Sequence, residues 1–382
     1  MIKRMISSEL LITKDEYPII TIIGPRQSGK TTLSRMSFPD YTYVNMEIPE
    51  HRTLAKEDPK SFLKTFSPPL IIDEIQNSPE LLSWLQVMVD EEPNATGRYI
   101  LTGSHQLKLR EAISQSLAGR TAVLSLLPLS LSELKESALP EDRSEMIHKG
   151  FMPGIYARGI RPVRFYRDYF QTYVERDVRK LMAIEDQQSF ELFMRLLAGR
   201  IGQEINYASL SNQVGICAPQ IKKWLSILEA SFLIFRLPPF LKNYGKRLTK
   251  SPKIYFTEVG LAAYLLGLEE PAQIERDPLF GNLFENLVIA EAYKSRLNKG
   301  KDPRLFFFRD NHQKEIDLLY PSGQSYIPVE IKSSRTYRED FLKNIHYFRK
   351  LSGSEGNGML IYDGEMETEV KGIKIRNFRH VF

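Results

Sequence analysis

The sequence predicts an α/β fold divided into more than one domain. Three observations carry this prediction. Short apolar runs alternate with helical patterns in the first third, helix-period segments dominate the middle, and strands return in the last third. At 382 residues the chain is too long for one ordinary core. Its 42% hydrophobic and 26% charged content is globular and excludes wholesale disorder.

Strands are expected over Ile19–Ile23, Tyr41–Glu47, Leu70–Ile75, Arg98–Thr102 and Ala122–Leu127. Each run is nearly all apolar, as in a mostly parallel sheet covered on both faces. Helices are expected between them, over Lys30–Met36, Glu50–Thr65, Pro79–Glu91 and Leu107–Ala118. Ala138–Ser144 reads as a polar connector, and Pro162–Ile184 as a long amphipathic helix with Phe165, Tyr169, Tyr173 and Leu181 on one face. Helix Tyr207–Val214, a turn at Gly215, helix Pro219–Leu228, strand Phe232–Leu237 and a basic hairpin follow the plan of a winged helix-turn-helix. Pro219 suits a first helical turn, where its missing N–H has no intrahelical partner to lose. The last third reads as helix Gly281–Arg296 and strands Leu305–Arg309, Glu315–Tyr320 and Tyr326–Ile331. The expected domains are residues 1–137, 145–255 and 256–382.

The first strand runs into Gly24-Pro25-Arg26-Gln27-Ser28-Gly29-Lys30-Thr31-Thr32. This satisfies G-x-x-x-x-G-K-[ST] between a buried strand and a helix, the context a P-loop requires. Backbone N–H groups and the helix N-terminus would cradle phosphates, Lys30 would reach the outer phosphates, and Thr31 would ligate Mg²⁺. Leu70-Ile71-Ile72-Asp73-Glu74 is an apolar strand ending in two acids: Asp73 to hold Mg²⁺, Glu74 to polarise a water. Thr102 and Ser104 end the next strand and could position that water. Arg120 is a candidate cation for the γ-phosphate, in cis or from a neighbour, and Arg26 is a weaker one. ATP and Mg²⁺ are thus the expected cofactors, and the expected activity is ATP hydrolysis.

Gly-Pro-Arg-Gln-Ser-Gly-Lys-Thr-Thr, Ile-Ile-Asp-Glu-Ile-Gln (71–76), Leu-Thr-Gly-Ser (101–104) and the following Ala-Gly-Arg resemble AAA+-type prokaryotic ATPases that carry a C-terminal DUF4143 region. The similarity continues through Tyr173–Asp177, Phe256–Gly260 and Gly281–Asn286 and covers nearly the whole chain. It implies an ATPase core, a winged helix and a nuclease-like C-terminal fold. ATPases of this kind usually complete their sites between subunits, so a homo-oligomer is an expected state.

Glu315-Ile316-Asp317 followed by Val329-Glu330-Ile331-Lys332 resembles the core of restriction-endonuclease-like PD-(D/E)xK enzymes. Glu330 and Lys332 share a strand face because strand side chains repeat every two residues. With Asp317, and with Glu285 from the preceding helix, they form a candidate nuclease site for Mg²⁺. The bland alternative is an ion-paired strand in a fold kept only for binding. Six scattered histidines have no ligand spacing, so no zinc site is expected.

The net charge of +5 is unevenly spread. Lys222, Lys223, Arg236, Lys242, Lys246, Arg247, Lys250 and Lys253 against Glu229 give Pro219–Lys253 a charge of +7 and leave −2 elsewhere. That concentration suits a polyanion, and DNA is the expected partner, met by Lys222, Lys223, Lys246 and Arg247. The rival reading is an ATP-dependent switch whose winged helix docks protein and whose nuclease-like fold is inactive. Apolar runs are too short to span a membrane, and a single cysteine, Cys217, fits a reducing cytoplasm.

Overall fold

The structure, a computed structural model, describes residues 2–104, 115–134, 139–179, 186–240, 251–353 and 357–382, with the side chains of 175–177 excepted. The expected helix Leu107–Ala118 lies largely outside these residues, as do Leu181, Lys246 and Arg247.

Helix α1 (Ser7–Glu16) precedes strand β1 (Ile19–Ile23), helix α2 (Lys30–Ser37) and β2 (Thr42–Asn45). Helices α3 (Pro49–Glu57) and α4 (Pro59–Thr65), β3 (Leu70–Asp73), α5 (Leu81–Asp90), β4 (Tyr99–Gly103) and β5 (Thr121–Ser125) complete the first unit. The expected single helix over Glu50–Thr65 is broken because Pro59 cannot continue it; the Asp58 carboxylate instead accepts the Ser61 N–H at 2.9 Å and starts a new one. The five strands lie in the order β2-β3-β4-β1-β5 and every pairing is parallel. Alternate residues feed two cores. Ile19, Ile23, Ile72 and Leu101 pack with α3, α4 and α5, while Ile20, Ile22, Ile71 and Ile100 pack with α1 and α2. Helix α1 has no counterpart among the sequence expectations; Ile6 and Leu10, fully buried, seat its start on the sheet.

A helical unit follows: α6 (Leu131–Leu134), α7 (Arg143–Lys149), α8 (Pro153–Arg158), α9 (Pro162–Tyr169), α10 (Gln187–Ala198), α11 (Tyr207–Val214) and α12 (Ala218–Ala230). Helix α9 does not run on as regular α-helix; residues Phe170–Val178 continue it as a π-helix. The connector expected at Ala138–Ser144 ends in buried structure, since Arg143 and Ser144 open α7 and Arg143 pairs with Glu275 at 2.8 Å and Asp363 at 3.0 Å. Strands β6 (Ile234–Leu237) and β7 (Lys253–Phe256) pair antiparallel after α12. Gly215, at φ +80°, makes the turn between α11 and α12.

Helices α13 (Val259–Leu265), α14 (Pro271–Arg276) and α15 (Phe280–Leu297) lead to β8 (Phe306–Arg309), β9 (Glu315–Ser322), β10 (Ser325–Lys332), helix α16 (Lys343–Ser352), β11 (Gly358–Tyr362), β12 (Thr368–Val370) and β13 (Ile373–Asn377). The second sheet has the order β12-β13-β11-β10-β9-β8, antiparallel from β8 to β10 and parallel from β10 through β11 to β13. One hydrophobic core runs from Leu129 to Phe378, so the middle and last parts share a core, and the expected boundary at 255/256 falls inside β7. The Phe256–Gly260 motif belongs to this junction. Glu258, fully inside, accepts the Phe151 N–H at 3.0 Å, the Tyr166 hydroxyl at 3.0 Å and the Gly260 N–H at 3.1 Å.

Candidate functional site

The glycine-rich loop lies where β1 ends, between β4 and β5 of the sheet. Gly24 must lack a side chain, because a Cβ there would sit 2.1 Å from the Leu126 carbonyl oxygen. Gly29 takes φ +94°, a left-handed conformation that turns the loop into α2. Lys30 is 5% exposed, and its ammonium donates to the Gly24 and Pro25 carbonyls at 3.1 and 2.9 Å. Burial lowers its pKa, against the pull of Glu74 and Asp73. The Ser28 hydroxyl is buried with no protein partner.

Strand β3 delivers the two acids beside this loop. The Thr31 hydroxyl donates to Asp73 at 2.9 Å (Oδ2) and 3.1 Å (Oδ1), so the two expected Mg²⁺ ligands already face each other. Tyr43 donates to Asp73 Oδ2 at 2.8 Å, and Thr102 donates to Oδ1. Glu74 takes φ +56°, ψ +47°, a conformation a non-glycine residue holds only when its surroundings enforce it. They do so here: its N–H donates to the Thr102 hydroxyl at 3.2 Å, and its Oε2 accepts the Ser104 hydroxyl at 2.9 Å and the Gln76 amide. Burial pushes the Glu74 pKa up, but Lys30, these hydrogen bonds and Arg26 together bring it below the ordinary value. Glu74 is therefore a carboxylate near neutrality. A left-handed carboxylate tied to Ser104, a preformed Thr31–Asp73 pair, a buried ammonium and an unpartnered Ser28 hydroxyl fit a phosphate chain with its divalent cation.

Arg4 is part of the same site and is not legible from any motif. Its guanidinium, 8% exposed, donates to the Ser28 carbonyl at 2.7 Å, the Leu127 carbonyl at 2.7 Å and Glu133 Oε1 at 2.9 Å. Glu133 in turn accepts the Met5 and Ser130 N–H groups, each at 2.8 Å. A cavity of about 560 Å³ opens next to this latch, between Ser28, Gly29 and Thr32 of the loop and Leu129, Pro153 and Tyr156. Its size and largely apolar walls suit the organic half of a nucleotide.

Arg120 is elsewhere. It precedes Thr121, which pairs with Ile19 at the start of β1, whereas the loop leaves the other end of that strand. Four residues of strand put it roughly 13 Å or more from the loop. There it forms a two-bonded pair with Asp90, at 2.6 and 2.8 Å. A role for Arg120 at this chain's own γ-phosphate is thereby corrected; only a neighbouring copy could receive it. Arg26 stays by the loop, its guanidinium 5.8 Å from the centroid of Tyr173 in the π-helix.

The basic segment thins in three dimensions. Arg236 pairs with Glu229 through Nε at 2.8 Å, and Lys253 is 4% exposed. Lys222 and Lys223 stay exposed on α12, opposite the buried Ile221, Trp224, Leu225 and Leu228.

The four residues of the candidate nuclease site come close to one another. Lys332 Nζ lies 2.7 Å from Glu330 Oε1 and 3.9 Å from Asp317 Oδ2, and the Ile331 N–H donates to Asp317 at 2.7 Å. Glu285 is turned instead to Lys253 Nζ, at 3.3 Å, which also lies 2.6 Å from Glu315. Among the described residues no three Asp, Glu, His or Cys side chains are grouped to hold an ion. The three acids expected to share Mg²⁺ lie near one another, with Lys332 against Glu330 and Asp317 and Lys253 against Glu285, and the Glu330 Oε2 is buried with no protein partner.

Comparison with known proteins finds three matches along the chain. Residues 16–135 match the AAA domain family, residues 140–272 a domain of unknown function (DUF8612), and residues 280–379 the domain of unknown function DUF4143. The uncharacterized protein Rv2008c of Mycobacterium tuberculosis is 33% identical over 324 residues, covering 84% of this chain and 71% of that protein. The uncharacterized protein MJ1637 of Methanocaldococcus jannaschii is 25% identical over 345 residues, covering 76% of this chain and 70% of that protein. Among solved structures, the Walker-type ATPase PABY2304 of Pyrococcus abyssi has a TM-score of 0.46 at 15% identity, covering 68% of this chain and 94% of that one.

Proposed function

The chain belongs to the family of Rv2008c, with an AAA-type P-loop ATPase domain ahead of a DUF4143 region, and from that premise we propose that it hydrolyses Mg-ATP to control its hold on DNA. The observation that carries the ATPase part is the set of four polar groups around one point: Lys30, Thr31, Asp73 and Glu74. Thr31 and Asp73 would hold Mg²⁺, which when bound supplies the positive charge that phosphoryl transfer needs. Lys30 neutralises phosphate charge. Glu74, ionised and fixed by Ser104 and Gln76, takes a proton from water. The Arg4 latch and the cavity beside it take the nucleoside.

DNA binding rests on the helix–turn–helix of α11 and α12 with the β6–β7 hairpin, which supports a winged helix, and on Lys222 and Lys223 exposed on α12. The mixed second sheet, with Asp317 on β9 and Glu330 and Lys332 on β10, supports a nuclease-like fold. A homo-oligomer would give Arg120 a recipient. Filter binding of DNA across salt concentrations, with and without Mg-ATP, tests the DNA claim. A steep salt slope that shifts with nucleotide is expected; no binding or no slope would leave protein docking as the role of the winged helix.

A further inference from the structure

Helix α15 opens with Phe280-Gly-Asn-Leu-Phe-Glu-Asn286, and three polar side chains from this stretch face the helical unit. Asn282 donates to the Ile201 carbonyl at 3.0 Å. Asn286 accepts the Phe256 N–H at 2.7 Å and donates to the Phe256 carbonyl at 2.9 Å, a two-point grip on the backbone of β7. Glu285, between them, meets both Lys253 and the Tyr255 hydroxyl of the same strand. Every polar side chain of the stretch is thus spent on holding Ile201 or β7.

Lys253 is the centre of this contact. It is 4% exposed, and its ammonium lies between Glu285 and Glu315, 5.4 Å from the centre of the Phe307 ring. Arg309 adds a second cation on Glu315, Nε to Oε2 at 3.4 Å. On the far side, Lys332 holds Glu330 and Asp317, and Asn344 donates to Glu330 at 3.3 Å. The four acids of the cluster (Glu285, Glu315, Asp317 and Glu330) therefore face three cations supplied by the chain itself. Isolated buried carboxylates would be costly, and here lysine and arginine offset part of that cost without an added ion.

We propose, resting on the winged-helix reading above, that this acid cluster is a cation-locked dock, in which Lys253 of β7 takes up Glu285, the acid that α15 would lend to a metal site, so that the DUF4143 region anchors the winged helix and does not cut DNA. The lock also fixes the end of the basic segment, since β7 begins at Lys253. Burial shifts the Lys253 pKa down, but Glu285, Glu315 and Asp317 together lift it above its ordinary value, so the ammonium stays charged.

Two measurements test the dock. Nucleotide-free wild-type protein titrated with Mn²⁺, with free ion followed by electron paramagnetic resonance, should show no saturable site at the cluster up to millimolar metal. Saturable binding that Asp317→Asn removes would overturn the proposal. The second is the melting temperature of Glu285→Gln in metal-free buffer. At pH 8–9, where Glu285 is ionised, a dock predicts a fall of several degrees, because one of the two carboxylates paired with Lys253 is lost. An empty metal site predicts a rise or no change, because acid–acid repulsion is relieved, and either result would overturn the proposal. Neither arm involves nucleotide, so failure here leaves the ATPase reading untouched.

Discussion

Glu74 sits in a backbone conformation that costs of order 1 kcal/mol, and the neighbours that hold it there are the ones that orient its carboxylate. Replacing it with glutamine keeps the shape and removes the carboxylate's ability to take a proton. Glu74→Gln should bind nucleotide as wild type does and lose turnover by about 10²–10⁴-fold. Wild-type hydrolysis by the variant in a phosphate-release assay would exclude Glu74 as the base. Arg4 acts through the loop and does not touch the reacting atoms. Arg4→Ala leaves Glu133 buried with two backbone N–H donors and no cation, at a cost of about 3 kcal/mol of stability. It also frees the Ser28 carbonyl, so KM for ATP should rise several-fold while kcat changes less. Arg4→Lys should recover part of the stability and little of the KM, because one ammonium cannot span three acceptors. An unchanged KM in Arg4→Ala would make the latch purely structural. At this scale the sequence told the loop and the acid pair plainly, since their residue types and spacing follow from phosphate chemistry. Arg4, Tyr43 and Lys253 were hidden: an arginine near a terminus and a lysine in a basic run read as surface charges until the fold brings their acceptors from far along the chain.

Among the elements, those of the first sheet were readable to within a residue or two, because buried parallel strands are unbroken apolar runs. Helix α1 was not, since its apolar residues do not mark one clear face: Leu11 and Ile12 are exposed while Leu10 is buried. The π-helical turn after α9 leaves no mark in composition either. Helix α12 carries the DNA prediction. Lys222→Glu with Lys223→Glu removes two phosphate contacts, which should weaken binding to all sequences and flatten the log–log salt slope by about 2. Retained slope would remove α12 from the interface. The dock on α15 carries a pH prediction. Glu330 is raised to about 8, by burial and then by Asp317, with Lys332 opposing; Glu285 is raised to about 7 by burial, with Lys253 opposing. Both folded values exceed those of the unfolded chain, so the folded state holds extra protons. This contribution to stability is present below the unfolded carboxylate range and is lost as pH rises through 7 to 8. Thermal melts from pH 5 to 9 should show that decline, and Glu330→Gln should flatten it; an undiminished decline in the variant would assign it to other groups.

For the whole molecule, the nucleotide loop and the rear region are joined by direct contacts. Arg4 links Ser28 to Glu133; Glu291 of α15 accepts the Leu131 N–H at 2.7 Å, and Lys294 donates to the Leu129 carbonyl at 2.8 Å. Six residues earlier on the same helix, Glu285 grips β7 through Lys253. A change in the loop therefore has a packed route to β7, and if β7 and α12 meet DNA as proposed, nucleotide should alter DNA affinity by about 1–3 kcal/mol of coupling. The coupling begins with Mg-ATP bound at the loop. The most direct test is the melting temperature of wild type and Lys30→Ala across millimolar Mg-ATP. Ligand binding to the folded state alone stabilises by about 2.7 kcal/mol at a hundredfold excess over Kd. The wild type should melt at a temperature that climbs with Mg-ATP, and Lys30→Ala should lose most of that climb; a wild-type melting temperature indifferent to Mg-ATP would contradict the account.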